Sequence, residues 1–151
     1  MIEIAQRYLI EVCEEGNLDV LDTLVHPQVV LRDPLTLYAS GRTALRERLL
    51  RDAASFCDVS IVIEDVAATG ARLFVESTWR ARHAGDFLGV AATDRRVVLT
   101  RIDTLHIAHG RIVELVTHYD LYALFQQLDA LPRPDKLAAP RRAATVLRLV
   151  P

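Results

Sequence analysis

The chain has 151 residues, enough for one domain around one core, with 51% hydrophobic and 25% charged residues, a globular balance. A net charge of −2 gives no electrostatic attraction to nucleic acid. No apolar run approaches the ~20 residues that cross a bilayer, and MIEIAQRY lacks the basic and apolar regions of a secretory signal, so a soluble, cytoplasmic protein is expected.

The elements follow in chain order. Ile4, Tyr8 and Val12, with Ala5, Leu9 and Cys13 beside them, recur at helical spacing. They predict a helix over 3–15, stopped at Gly16. Leu18, Leu21, Leu24 and Val25 predict a second short helix, ended by Pro27. VVLRD (29–33) reads as a first strand broken by Pro34. Thr43 is a candidate N-cap for a helix over 44–56 with Leu45, Leu49, Ala53 and Phe56 on one face. Two hairpins follow: 60–68 with 73–82 around Gly70, and 95–107 with 111–120 around His109-Gly110. A last helix over 121–131 ends at Pro132.

From Pro132 onward five basic residues face one acid, a net +4 that leaves −6 on residues 1–131. The division is therefore a domain over 1–131 and a Pro/Ala/Arg-rich tail over 132–151, with order in the tail expected only at VLRLV. Helices ahead of a run of antiparallel strands give an α+β fold. A curved, mostly antiparallel sheet wrapped over the N-terminal helices makes a cone-shaped barrel that encloses an apolar pocket.

The chemistry rests on carboxylates placed in or at the ends of apolar strands: Asp33, Asp103, Glu114 and Asp120. Lost hydration raises a carboxyl pKa toward neutrality and suits it to proton transfer. Asp120 shares a strand face with His118 and Val116 by period 2, and equally suits the N-cap of the helix that starts at Leu121. Asp33 stands in an Asp-Pro turn and is a candidate base at a pocket mouth. Asp103, between Ile102 and Leu105, needs a partner such as Arg101 or Arg82, or must stay protonated. Tyr8 on the first helix is a core residue or a donor to a developing oxyanion.

Cys13 and Cys57 lie in no metal or CxxC spacing and read as small buried residues. His83, His106 and His109 make no metal site, and no phosphate loop or nucleophile elbow occurs, so neither metal nor cofactor is expected. Strands 97–107 and 111–119 are apolar on both faces, with Ile112 and Val116 on one and Val113 and Leu115 on the other. A homodimer is the expected partner arrangement.

Two stretches carry a family resemblance. HAGDFLGVAATDRRV (83–97) offers His83, Gly85, Phe87, Gly89, Thr93 and Arg95. GRIVELVTHYDLYALFQQL (110–128) offers Gly110, Arg111, Ile112, Glu114, Asp120, Gln127 and Leu128. Over roughly residues 3–131 the chain resembles the SnoaL-like polyketide cyclases, which have the nuclear-transport-factor-2-like, or ketosteroid-isomerase-like, fold. The resemblance implies a cofactor-independent aldol ring closure of a hydrophobic polyketide, with Asp120 as the general acid/base. Asp94 stands where the family has Gly, and Ala91-Ala92 where it has Pro. The first half, AQRYLIEVCEEGNLDVLDTL and VVLRDP, is similar to ketosteroid isomerases, which implies Asp33 as base with Tyr8 and Asp103 as oxyanion hole. A non-catalytic ligand-binding module is the remaining alternative. His118, His83, Phe87, Val116 and Trp79 are the candidate substrate contacts.

Overall fold

The structure, a computed structural model, describes residues 1–131. The tail expected over 132–151, with its VLRLV segment, lies outside the described residues.

Helix α1 (Ile2–Arg7) runs directly into a π-helical segment over Tyr8–Glu14. The Glu15 N–H donates to Ile10 O at 2.9 Å, a bond five residues long. Such wide winding brings residues five apart together, and Cys13 comes beside the Tyr8 hydroxyl. Gly16, at φ +74°, ends the segment as expected.

A 3₁₀ turn at Leu18–Val20 and the short α2 (Leu21–Leu24) lead to β1 (Val25–Arg32). Pro27 therefore lies inside a strand and does not end a helix. The sheet accommodates it because β1 loses register with its neighbour between Val25 and Val30, so no ladder N–H is required there. Strand β2 (Ala39–Ser40) precedes α3 (Arg42–Ser55). The α3 N-cap is Gly41 at φ +96°, a conformation closed to Thr, and Thr43 sits within the first turn.

Four long strands follow: β3 (Phe56–Thr69), β4 (Arg72–His83), β5 (Arg96–Ala108) and β6 (Arg111–Tyr119), and then α4 (Leu121–Gln127). The described strands form one open sheet in the order β2-β1-β6-β5-β4-β3. Only the β1–β6 pairing is parallel. The architecture is α+β, as expected, with helices on the inner face of the sheet.

Period-2 alternation turns Leu73, Val75, Leu105 and Leu115 inward against Tyr8, Leu9, Val12 and Leu45. A second cluster, with Phe56, Phe87, Val97 and Leu124, closes the end of the sheet under α4. Trp79 and Val59 pack against both clusters. The outer face leaves Val62, Phe74, Val98 and Ile102 exposed.

The family-like motifs are structural fasteners. Thr93 N–H donates to buried His83 Nδ1 at 3.2 Å, which puts the ring proton on Nε2. Gly85 N–H donates to Ser55 O at 3.0 Å, pinning the 84–90 loop to the end of α3. Asp94, in the family's Gly position, sits at φ +58° and pairs with Arg82 at 2.5 Å. A left-handed conformation favours Gly and tolerates Asp, which explains the departure. Gln127 makes a reciprocal pair with Val98: its Oε1 accepts at 2.8 Å and its Nε2 donates at 2.9 Å.

A Cβ on Gly85 would fall 2.0 Å from Ala54 O. Gly85→Ala should therefore destabilise the fold by about 1–3 kcal/mol, the cost of overpacking, read as a drop in Tm.

Candidate active site

A cavity of about 330 Å³ opens where the two apolar clusters meet. One wall is aromatic. Phe56 meets Trp79 edge-on at 5.3 Å and Phe87 at 5.1 Å, and all three line the space. The opposite end is polar, lined by Tyr8, Cys13, Arg48, Asp52, Arg101 and Tyr119.

Helix α3 supplies Arg48 and Asp52 from the stripe that also carries Leu45 and Leu49. Arg48 Nη1 lies 3.0 Å from Asp33 Oδ2, and Arg48 Nε lies 3.6 Å from Asp52 Oδ2. These contacts engage Nη1 and Nε, which leaves Nη2 of Arg48 to meet a ligand. Burial opposes its charge, but Asp52, Tyr8 and Asp33 outweigh that and hold its pKa above the ordinary guanidinium value. Asp52 is half-buried, and loss of hydration raises its carboxyl above the ordinary value despite the pull of Arg48 and Arg101.

Strand β5 supplies Arg101. Its Nη2 donates to both oxygens of Asp103, at 3.1 and 3.2 Å. Asp103 is fully buried and also accepts from the Thr117 hydroxyl at 2.5 Å. Burial works against the Arg101 charge, and Asp103, Cys13 and Tyr8 more than restore it. No described residue accepts from Arg101 Nη1, and the buried Nε is also unpartnered.

The hydroxyl and thiol groups stay protonated. Burial pushes Tyr8 well above its ordinary pKa, Tyr119 to about 12 and Cys13 to about 11. The two phenols are therefore hydrogen-bond donors at neutral pH, and Cys13 remains a thiol rather than a nucleophile.

The structure brings some of the expected site residues together and separates others. Tyr8, Phe87 and Trp79 line the cavity. Asp33 stands behind Arg48, its Oδ1 accepting from Leu35 N–H at 2.8 Å and Thr36 N–H at 2.7 Å in the turn expected of Asp-Pro. Asp103 stands behind Arg101, and His83 behind Phe56, 5.3 Å away ring to ring. The placement of the last strand is corrected. Leu115, Thr117 and Tyr119 point inward, so Val116, His118 and Asp120 share the opposite face. Asp120 is exposed and caps α4, its Oδ1 accepting from Ala123 N–H at 2.9 Å. Asp103 is paired and donates nothing to the cavity; Arg101 faces the cavity in its stead. Glu114 lies outside the cavity lining, in ion pairs with Arg32 and Arg72.

A family model of SnoaL-like polyketide cyclases matches residues 3–128. The chain belongs to that family. Among solved structures it is similar to TsrD from Streptomyces laurentii, with 28% identity, a TM-score of 0.76 and coverage of 86% of this chain and 95% of that one. It is similar to IdmH from Streptomyces antibioticus, a proposed polyketide cyclase, at 25% identity, TM-score 0.72, covering 85% and 97%. A proposed SnoaL-like cyclase from Jannaschia sp. CCS1 shares the fold at TM-score 0.80 and 21% identity, covering 87% and 92%. No curated protein matches the sequence significantly.

The family match spans the helices and the open sheet, and this chain's own residues define the polar end of the cavity. Of these, Arg101 is expected from the sequence as a partner of Asp103, whereas Arg48, Asp52 and Tyr119 are not, although a signal exists. Positions 45, 48, 49 and 52 follow the i, i+3, i+4, i+7 spacing of a helical stripe facing the core, which Arg48 and Asp52 interrupt. Among the described residues no three His, Cys, Asp or Glu side chains gather as a metal site needs, and no helix is long and apolar enough to cross a membrane.

Arg101→Met would leave Asp103 buried without its counter-ion. It should cost about 3–5 kcal/mol in urea unfolding, whereas Thr117→Val, which removes one hydrogen bond, should cost about 1–3 kcal/mol.

Proposed function

We propose that the chain catalyses a cofactor-independent, aldol-type ring closure of a small hydrophobic polyketide-like carbonyl compound, with Asp52 as the general base. The observation that carries this reading is the Asp52 carboxyl, open to an aromatic-walled cavity and raised in pKa by lost hydration. A cavity of about 330 Å³ is at the small end of ligand sites, which fits a substrate of one or two rings.

The chemistry closes without loss of atoms. Asp52 takes the proton α to a carbonyl, and the C–H electron pair becomes the enolate C=C while the carbonyl π pair moves to oxygen. The enolate carbon attacks a second carbonyl of the same molecule and forms the ring C–C bond. The new alkoxide takes the proton back from Asp52. Tyr8 and Tyr119, both held protonated, donate to the oxygens that gain charge. Phe56, Phe87 and Trp79 hold the carbon skeleton.

Asp120, the base implied by family resemblance, is the competing assignment, and Asp33 is the isomerase-like one. A proton-exchange assay separates them without the natural substrate. The protein should speed α-deuteration of 2-tetralone in deuterium oxide, followed by proton NMR. Asp52→Asn should slow this by about 10²–10⁴, the worth of a general base. Asp120→Asn should be nearly silent in rate and Tm, because Asn also caps a helix. A large loss in Asp120→Asn or Asp33→Asn, with none in Asp52→Asn, would transfer the role to that residue.

The pH dependence has a defined sign. Asp52 acts as a base only when ionised, and its raised pKa moves the acid limb of kcat/KM above the ordinary carboxylate range. In stability, a raised native pKa means the fold favours the neutral form, so the ionised carboxylate is a liability once pH exceeds its unfolded value. Asp52→Asn should therefore leave Tm at pH 7 unchanged or slightly raised.

A further inference from the structure

We propose that Arg48 and Arg101 form an oxyanion clamp, and that the cavity takes a neutral, acidic carbonyl or hydroxyaromatic compound and stabilises its ionised oxygen. This rests on the cavity being the reaction site and deepens it by naming the groups that meet the charge and the class of compound that fits.

Geometry carries the argument. The two guanidiniums enter one cavity from different elements, Arg48 from α3 and Arg101 from β5. Each is anchored from behind by a buried carboxylate, Asp33 or Asp103. Each also keeps N–H groups that no described residue accepts from in an aligned hydrogen bond. Arginines held this way are fixed donors that need no reorganisation when charge appears beside them.

Charge conservation carries it further. The cluster holds three carboxylates, Asp33, Asp52 and Asp103, against two guanidiniums. One negative charge is therefore in excess, and it resides on Asp52, whose contact with Arg48 is the loosest of the three. When Asp52 takes a proton from a bound acid, that excess charge passes to the ligand oxygen. The total within these ion pairs does not change, and Arg48, held in place by Asp33, meets the new anion once Asp52 is neutral. A substrate that arrives already ionised would add a second excess charge. It would also meet Glu14 and exposed Glu15 at the cavity lining. The arrangement therefore selects neutral acids that ionise in place.

The test uses 2-naphthol as the ionisable probe and 2-methoxynaphthalene as its non-ionising counterpart, both sized for the cavity. Binding is followed by naphthol fluorescence, which distinguishes the ionised form, across pH. In the wild-type chain the bound naphthol should ionise about one pH unit or more below the free compound, as two nearby cations demand. Asp52→Asn, which removes the excess charge, should tighten naphtholate binding about tenfold and leave the ether unchanged. Arg101→Lys keeps a cation for Asp103 but loses the guanidinium fork, and should weaken naphtholate about tenfold against an unchanged ether. If the ether binds but naphthol shows no lowered ionisation, or if neither variant alters the ratio of the two, the clamp is overturned while the cavity reading stands. If neither compound binds, both are overturned.

Discussion

A guanidinium can enter an apolar interior only with a carboxylate at its back, and this chain meets that condition twice. Asp33 from the β1–β2 turn holds Arg48 of α3, and Asp103 holds Arg101 within β5. The first pair ties α3 to the β1–β2 turn, and the second lies within one strand. Asp103 adds Thr117 of β6, so register across β5 and β6 is fixed by a hydrogen bond as well as by the ladder. Breaking either pair strands a buried charge, which is costlier than leaving both residues out of the design. The polar end of the cavity is therefore held in one geometry by the fold itself.

The other end depends on the same economy of space. Phe56 opens β3, faces His83 across the ladder and packs on Phe87, and the 84–90 loop is drawn onto α3 by Ser55 and Gly85. That loop carries Phe87 of the aromatic wall, and Thr93, just after it, holds the His83 ring. The fold is shared with proposed cyclases that differ in most of their residues. Chemistry on such a scaffold is set by the few side chains that enter the cavity.

The order and type of the elements could be read from the sequence because period-2 and helical spacing are strong in the long segments. The edges could not. Pro27 reads as a helix stop, yet a break in register lets β1 run through it. Strand period places Val116, His118 and Asp120 on one face correctly, but it cannot say which face meets the helices. Leu115 and Thr117 take the inner side, so the resemblance-implied Asp120 ends at the surface as a helix cap. Asp103 behaves as a mid-strand carboxylate must, by pairing, and one of its two expected partners, Arg101, is the one it finds. Charged residues in the helical stripe over 45–52 are the missed signal, since Arg48 and Asp52 are legible as facing the core only after the stripe is drawn through them.

The central claim is that one carboxylate in the cavity, Asp52, carries the charge that two guanidiniums do not balance and exchanges it with a ligand as a proton. Carbon-detected NMR of the aspartate carboxyls across pH tests this directly. Asp52 should titrate above the ordinary carboxylate range in the free protein, and its carboxyl signal should move toward the protonated position in the pH range where bound 2-naphthol ionises. An Asp52 carboxyl that titrates at its ordinary value and ignores the ligand would contradict the account.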